Sequence, residues 1–218
     1  MTLRRVAIYG GTFDPVHNGH IEAARKVCGL FALDELIFVP ACVPPHKRNA
    51  GITSAFHRFA MLALATNDEP RWRVSTIELD EPERPYAVET VERIKARAGG
   101  GCRLFFLMGA DSWAEITTWR EWQRLLGICD QIVVTRPGYD LKAEPAGVVD
   151  LRGLSAEKIK VVLGETGGPR AFLTDALMVD IAATEIRAAA RSGSRDVLKE
   201  MVPTTVAGYI EKYCLYRN

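Results

Sequence analysis

One stretch near the start of the chain decides the fold: Val6-Ala-Ile-Tyr-Gly-Gly-Thr-Phe-Asp-Pro-Val-His-Asn-Gly-His20. Its apolar beginning, residues 6–9, predicts a buried strand, and Gly10-Gly11 predicts a turn directly after that strand. Apolar residues then recur at helical spacing over residues 20–31, at Ala24, Val27, Leu30 and Phe31. A strand, a glycine turn and a helix therefore follow one another within the first residues of the chain.

The same alternation continues along the chain. Further strands are predicted at 36–39, 74–79, 104–108, 131–135 and 171–179, and helices at 55–65, 87–98, 120–126, 184–191 and 203–213. Residues 138–170, rich in Gly and Pro, allow no assignment. The alternation predicts an α/β fold: one Rossmann-like, doubly wound domain over residues 1–218, with a mostly parallel sheet, helices on both faces and a helical C-terminal part from about 184.

The composition excludes several classes of protein. The chain has 218 residues, 48% of them hydrophobic and 25% charged, and a net charge of +1, so we expect a soluble protein without a nucleic-acid-binding surface. No apolar run reaches membrane-spanning length, and no signal-peptide layout begins the chain. Five scattered cysteines favour reduced, mostly buried thiols in the cytoplasm over disulfides or a zinc knuckle. The sequence leaves the oligomeric state open, and a homo-oligomer is compatible with it.

The residues after the first strand suit a bound phosphate. Gly10 and Gly11 allow backbone N–H groups to approach an anion, and Thr12 adds a hydroxyl donor. His17 and His20 lie three residues apart near a helix N-terminus, whose partial positive charge favours phosphate. Two alternatives are a turn with helix-capping histidines and a metal site, although the sequence places no third ligand beside the histidines.

The chain resembles the bacterial nicotinate-mononucleotide adenylyltransferases of the nucleotidyltransferase superfamily. The resemblance runs nearly end to end, through Gly10 to His20, Val43-Pro-Pro-His-Lys47, Gly109-Ala-Asp-Ser112, Thr118-Trp119, Arg136-Pro-Gly138, Thr184-Glu-Ile-Arg187 and Leu215-Tyr-Arg217. It implies an enzyme that transfers the adenylyl group of ATP to nicotinate mononucleotide, giving nicotinate adenine dinucleotide and pyrophosphate. It also implies Mg²⁺ bound with ATP, and the sequence contains no dedicated carboxylate cage for a metal.

The resemblance implies roles for residues on the ATP side. His20 is expected at the α-phosphate, with His17 and Thr12 in support and Lys47 binding phosphate. The other expected ATP contacts are Gly10, Gly11, Gly109, Asp111, Thr184 and Arg187. Asp111 follows a strand, where a carboxylate suits ribose hydroxyls, but it could equally cap a helix. Lys47 could equally be a solvated surface lysine. Thr184 is predicted to cap a helix, which places its hydroxyl and the Arg187 guanidinium at one helix end.

The expected nicotinate-nucleotide contacts are His46, Tyr86, Trp119 and Arg136. Trp119 matches the family's ring-stacking tryptophan, whereas Trp122 is assigned to the core; either tryptophan could pack in the core. Arg136 could equally be a surface arginine at a strand end.

Several positions depart from the family's pattern. Ala182 and Ala183 stand where serine is common, Ala41 where Asn is common and Ala87 where Thr is frequent. Backbone N–H donors survive such changes, so phosphate binding is expected to persist.

Three alternative functions stay open. The chain could use another acceptor, such as phosphopantetheine or a cytidylyl-transfer substrate, it could be a nucleotide sensor without catalysis, or it could be a class I synthetase fragment. The sequence leaves the preference for nicotinate over nicotinamide open.

Overall fold

The computed structural model describes residues 3–42, 51–80, 85–135, 147–165, 167–176 and 181–217. Its strands are β1 (Arg4–Gly11), β2 (Glu35–Pro40), β3 (Trp72–Val74), β4 (Cys102–Gly109), β5 (Asp130–Val134), β6 (Val148–Asp150) and β7 (Ala171–Thr174). Its helices are α1 (Asn18–Leu30), α2 (Ala55–Thr66), α3 (Ala87–Ala98), α4 (Ala110–Ala114), α5 (Trp122–Ile128), α6 (Ala156–Gly164), α7 (Ala183–Ser192), α8 (Arg195–Met201) and α9 (Thr204–Lys212), with a 3₁₀ turn at Ile116–Thr118. The α/β prediction is confirmed.

The strands form a single sheet in the order β3-β2-β1-β4-β5-β7-β6, and every pairing in it is parallel. From β1 the chain winds outward through β2 to β3, then returns to the other side of β1 with β4. The strand order therefore reverses between β1 and β4, and in sheets of this kind ligands bind beyond the carboxyl ends at that point.

Both faces of the sheet are buried, which explains why the central strands are apolar at consecutive positions. Phe105 and Leu107 of β4 join the core on one face, with Phe31, Phe38, Phe172 and Val206. Phe106 and Met108 join the core on the other face, with Ile8, Val91, Trp113 and Val133. Val206 and Ile210 of α9 are buried.

Several predicted boundaries were wrong. The strand predicted at 74–79 is β3, which ends at Val74, and the strand predicted at 171–179 ends at Thr174. Within 147–165, where no assignment was possible, the structure has β6 and α6. The short helix α8 was also missed, because it is too short to show a helical period, and α4 was predicted only as the helix that Asp111 could cap.

The five cysteines are free thiols, as expected, but only Cys28 and Cys129 are buried. No helix in the described part of the chain combines the length and apolar character that crossing a bilayer would require.

Candidate functional site

The sequence-predicted phosphate residues meet where the strand order reverses. Gly10 and Gly11 end β1, and Gly109 ends β4, the strand paired with β1 on the side opposite β2. Residues 12–17, the β1–α1 loop, then lead into α1, while α4 begins directly after Gly109. The carboxyl ends of these two strands form the floor of the candidate site.

The β1–α1 loop needs Gly11 because of the ring that follows it. A Cβ at Gly11 would lie 2.9 Å from Cζ of Phe13, so a side chain there would force that ring to move. Phe13 itself has a φ of 50°, a left-handed conformation that L residues rarely adopt. Its ring is buried and contacts the His20 ring, with 5.0 Å between centroids. The buried Phe13 ring therefore packs between the start of the loop and His20.

His17 and His20 are stacked at the start of α1. Their ring centroids are 3.7 Å apart, and the main-chain N–H of His17 donates to Nδ1 of His20 at 3.3 Å. Because Nδ1 of His20 accepts this bond, a neutral His20 ring carries its proton on Nε2. His17 is buried, and its Nδ1 finds no hydrogen-bond partner among the described residues. His17 is the N-cap residue of α1, so the bond from its N–H to the His20 ring is a helix-capping bond, as one of the two alternatives predicted, and Nε2 is the His20 nitrogen that this bond does not use.

Both imidazoles are held neutral. Burial lowers the pKa of His17 to about 4. Burial lowers the pKa of His20 well below its usual range, and the neighbouring His17 adds to this effect. Near neutral pH the two rings are therefore hydrogen-bond donors without full positive charge, placed at a helix N-terminus that itself favours anions.

The start of α7 differs from the prediction. Ala182 is the N-cap residue, and Thr184 is the exposed second residue of the helix, so the prediction that Thr184 caps it was wrong. The N-cap lies two residues before Thr184. Because Ala182 has no side-chain oxygen, no side chain at the cap accepts hydrogen bonds from the first amides of the helix. These amides remain the donors that an anion would meet.

Arg187 connects α7 to the β1–α1 loop. Its guanidinium donates to the carbonyl oxygen of Asp14 at 2.8 Å. Asp14 is buried, and its carboxylate accepts the Tyr216 hydroxyl at 2.8 Å and the Thr53 N–H at 3.3 Å. The two predicted phosphate sites thus belong to one hydrogen-bonded unit, and Asp14 and Tyr216 were not among the predicted site residues.

Arg58 supports the same loop from α2, and the sequence reasoning missed it too. Its buried guanidinium donates to the carbonyls of Thr12 at 2.6 Å, Ala41 at 2.6 Å and Thr53 at 2.9 Å. The signal was available, because Arg58 lies on the buried face of α2 with Met61 and Leu62. A charged residue on an apolar stripe implies a buried partner.

A second group of predicted and neighbouring residues, Tyr86, Trp119 and Arg120, is here called the aromatic rim. Trp119 is half-buried, and its ring meets the edge of Phe106 with 6.2 Å between centroids. A Cβ at Gly10 would lie 3.1 Å from the Phe106 ring, so Phe106 contacts both the end of β1 and Trp119. Tyr86 is 39% exposed, and the Arg120 guanidinium lies 4.6 Å from its ring centroid.

The tryptophan and aspartate alternatives can be compared with the structure. Trp119 and Trp122 both pack partly buried against the same core. Asp111 is exposed in the first turn of α4, whose N-cap is Gly109, so Asp111 does not cap that helix. Its carboxylate stands at the carboxyl end of β4, where the prediction placed a ribose contact.

Three predicted residues, His46, Lys47 and Arg136, lie outside the described residues. Of the positions that depart from the family pattern, Ala41 donates its N–H to the Gly11 carbonyl at 2.9 Å, and Ala87 is the first residue of α3. In the described part of the chain, no three His, Cys, Asp or Glu side chains come together as metal ligands.

A family model and full-length relatives both match this chain, and both belong to nucleotidyltransferases. The cytidylyltransferase-like family model matches residues 8–189. A probable nicotinate-nucleotide adenylyltransferase of Symbiobacterium thermophilum is 38% identical over 214 residues, which cover 98% of this chain and 96% of that protein. One from Thermoanaerobacter sp. is 36% identical, with 98% and 95% covered.

The fold is similar to that of solved structures. Plasmodium falciparum nicotinic acid mononucleotide adenylyltransferase complexed with NaAD superimposes with a TM-score of 0.73 at 20% identity, covering 98% of this chain and 97% of that one. The same protein complexed with APC gives a TM-score of 0.71.

Proposed function

Because the chain belongs to the cytidylyltransferase-like family, and within it to the nicotinate-nucleotide adenylyltransferases, we propose that it joins ATP to nicotinate mononucleotide. The products are nicotinate adenine dinucleotide, a precursor of NAD, and pyrophosphate. One observation in the structure carries the proposal: the His17–His20 pair and the uncapped start of α7 are joined through the bond from Arg187 to Asp14.

The reaction is an in-line displacement at the α-phosphorus of ATP. An oxygen of the mononucleotide's phosphate forms the new P–O bond, the bond to the β-phosphate bridging oxygen breaks, and the electron pair leaves with pyrophosphate. A phosphate monoester is already ionised near neutral pH, so the attacking oxygen needs no general base. The protein's contribution is to position the reactants and to stabilise charge on the transferring group.

His20 supplies a donor for that charge. The bond from the His17 N–H to Nδ1 leaves the proton on Nε2, and this N–H meets the α-phosphate oxygens. A neutral donor of this kind strengthens its hydrogen bond as charge grows on the oxygen. His17 and Thr12 assist His20 in binding the phosphate, and the amides at the start of α1 add the partial positive charge of a helix N-terminus.

The start of α7 holds the leaving pyrophosphate. Its first amides bind the β- and γ-phosphates together with the Thr184 hydroxyl and the Arg187 guanidinium, and Lys47 adds a further cation. Because a backbone N–H does not depend on the side chain, Ala182 and Ala183 leave this function in place.

The aromatic rim holds the acceptor. Trp119 stacks on the pyridine ring, Tyr86 lies beside it, and His46 and Arg136 complete the nicotinate side. Gly109 and Asp111 take the ribose of ATP at the end of β4, where a carboxylate accepts bonds from hydroxyl groups.

Mg²⁺ enters with ATP in this proposal. The donors that suit it are the phosphate oxygens of ATP itself, since Mg²⁺ commonly binds substrate phosphates rather than an all-protein cage. When bound, it neutralises phosphate charge. An ATP-consuming enzyme with free thiols fits the cytoplasm.

The proposal is tested by measuring pyrophosphate release with Mg-ATP and three separate acceptors: nicotinate mononucleotide, nicotinamide mononucleotide and phosphopantetheine. We expect turnover with nicotinate mononucleotide well above the other two. Preference for another acceptor would overturn the substrate assignment. Tight ATP binding without turnover on any acceptor would instead indicate a nucleotide sensor.

A further inference from the structure

The end of the chain reaches back to the β1–α1 loop. Tyr216 donates its hydroxyl to Oδ1 of Asp14 at 2.8 Å, although 202 residues separate the two in sequence. The residues after α9 turn inward to allow this, with the Leu215 N–H donating to the Ile210 carbonyl at 3.0 Å. Cys214 and Tyr216 have φ values of 51° and 66°. Non-glycine residues hold such left-handed conformations only where the surroundings favour them.

Asp14 is buried, so water has little access to take the place of the Tyr216 hydroxyl as a hydrogen-bond donor to its carboxylate. Asp14 is 7% exposed, and the other oxygen of its carboxylate already accepts the Thr53 N–H at 3.3 Å. Burial and the Asp14 carboxylate raise the pKa of Tyr216, so the hydroxyl keeps its proton and remains the donor. Removing that hydroxyl would leave a buried carboxylate oxygen without its partner.

A shift of Asp14 would be passed on to the imidazoles. Only Pro15 and Val16 separate it from His17, and both are buried. The proline ring fixes its own φ, and Val16 is 0% exposed, so this short connection has little room to absorb a displacement. The Asp14 carbonyl also receives the Arg187 guanidinium, so the start of α7 would respond to the same shift.

We propose that Tyr216 is a positioning residue for adenylyl transfer: its hydroxyl fixes Asp14 and, through Asp14, the placement of His17, His20 and Arg187. The inference rests on the proposed function, because it names the residue that sets the geometry of that site. In this proposal Tyr216 acts through Asp14 and is assigned no contact with ATP or the acceptor.

The test compares Tyr216→Phe with Tyr213→Phe, which makes the same change in the same tail. Tyr213 is 49% exposed, and its ring packs against Tyr209 and His57. Tyr216→Phe should lower kcat about tenfold, the scale of one lost charge-assisted hydrogen bond, and should raise the KM for ATP by less than that, because Arg187 is held through the Asp14 carbonyl. Tyr213→Phe should match the wild-type chain in both constants.

Hydrogen–deuterium exchange gives a readout that does not depend on turnover. Tyr216→Phe should speed amide exchange in peptides covering residues 12–20 and leave the central strands β1 and β4 unchanged. Asp14→Asn combined with Tyr216→Phe should reduce kcat by less than the product of the two single effects, because both changes break one interaction.

Wild-type kcat and wild-type exchange in Tyr216→Phe would overturn the inference. A uniform rise in exchange across the sheet, with a lower thermal midpoint, would also overturn it, since Tyr216 would then be merely structural. If the wild-type chain turns over no acceptor, the proposed function fails, and the exchange pattern still decides whether Tyr216 positions the loop.

Discussion

The β1–α1 loop follows Gly10 and Gly11, and the aromatic rim contacts Phe106 beside Gly10, yet the two regions are held in different ways. The loop receives hydrogen bonds from distant parts of the chain, from Arg58 in α2, Arg187 in α7 and Tyr216 at the end of the chain. The rim is more exposed, and its rings are held by the cation–π contact of Arg120 with Tyr86 and the edge contact of Trp119 with Phe106.

The difference matches the two tasks that the proposed function assigns to these regions. Stabilising charge on a transferring phosphoryl group requires donors fixed to within a few tenths of an ångström, so a buried hydrogen-bonded frame is useful. Stacking on a planar ring requires mainly a flat, partly apolar surface. Changes in the loop should therefore affect turnover and stability, whereas changes in the rim should affect acceptor binding.

The largest effect is expected at His20. His20→Ala should lower kcat by about a hundredfold to a thousandfold while the Kd for ATP changes only a few-fold, because the lost N–H acts mainly on the transition state. Steady-state pyrophosphate release and calorimetric ATP binding give the two constants. His57→Ala is the matched control, since His57 lies in α2 and bonds to Tyr209. A parallel loss of ATP binding and turnover would make His20 a ground-state ligand instead.

The second effect is a loss of stability in acid that comes from the loop. The pKa of His17 falls from about 6.5 in the unfolded chain to about 4 in the folded chain, so the unfolded state binds the proton first as pH drops. The free energy of unfolding should therefore fall by about 3 kcal/mol between about pH 6.5 and about pH 4 on account of this ring. Above about pH 6.5, the contribution of His17 to the free energy of unfolding does not change with pH.

Denaturant unfolding of wild type and His17→Gln over this pH range measures the effect. The decline in His17→Gln should be smaller by about 3 kcal/mol, whereas His57→Gln should decline as the wild type does. Equal slopes in wild type and His17→Gln would show that burial of this imidazole does not govern acid stability.

The third effect belongs to the rim. Trp119→Ala should raise the KM for nicotinate mononucleotide about tenfold with a smaller change in kcat, since stacking contributes on the order of 1 kcal/mol beyond area burial. Trp122→Ala, a matched loss of a half-buried indole from the same core, should leave that KM within about twofold. If the two variants shift this KM alike, Trp119 is a core residue and not a stacking platform.

Local features of this site were predictable from sequence. The helix predicted at 87–98 coincides with α3, because its amphipathic spacing ends at Gly99, which has a φ of 75°. The β1–α1 loop was equally clear, since its glycines and histidines lie within one short segment after an apolar strand. Both features depend on residues close together in the sequence, so local patterns are enough to predict them.

The frame around the loop was not predictable in the same way. The Tyr216–Asp14 bond joins residues 202 apart, and no local pattern encodes a contact at that separation. β6 is a three-residue strand at the edge of the sheet, too short and too exposed to show an alternating pattern. Arg58 did leave a signal, a cation on the apolar face of α2, but its carbonyl partners could only be identified in the structure.

The smallest effect is expected at the start of α7, where the prediction of the cap was wrong. Threonine is a better N-cap than alanine, which favoured Thr184, but the helix begins at Ala183 with Ala182 as its cap. Ala182→Ser supplies the missing side-chain oxygen and should raise the free energy of unfolding by about 1 kcal/mol. Ala183→Ser is the matched control, because a serine at the first helical position lies past the cap and should change stability by less than about 0.5 kcal/mol.

Thermal and denaturant unfolding of both variants, paired with the KM for ATP, connects this change to the phosphate site. A serine hydroxyl at position 182 would accept a bond from an amide that the proposal assigns to the β- and γ-phosphates. Ala182→Ser should therefore gain stability and raise the KM for ATP about twofold to fivefold, the cost of competition for one hydrogen bond. A gain in stability with an unchanged KM would mean that ATP does not use these amides.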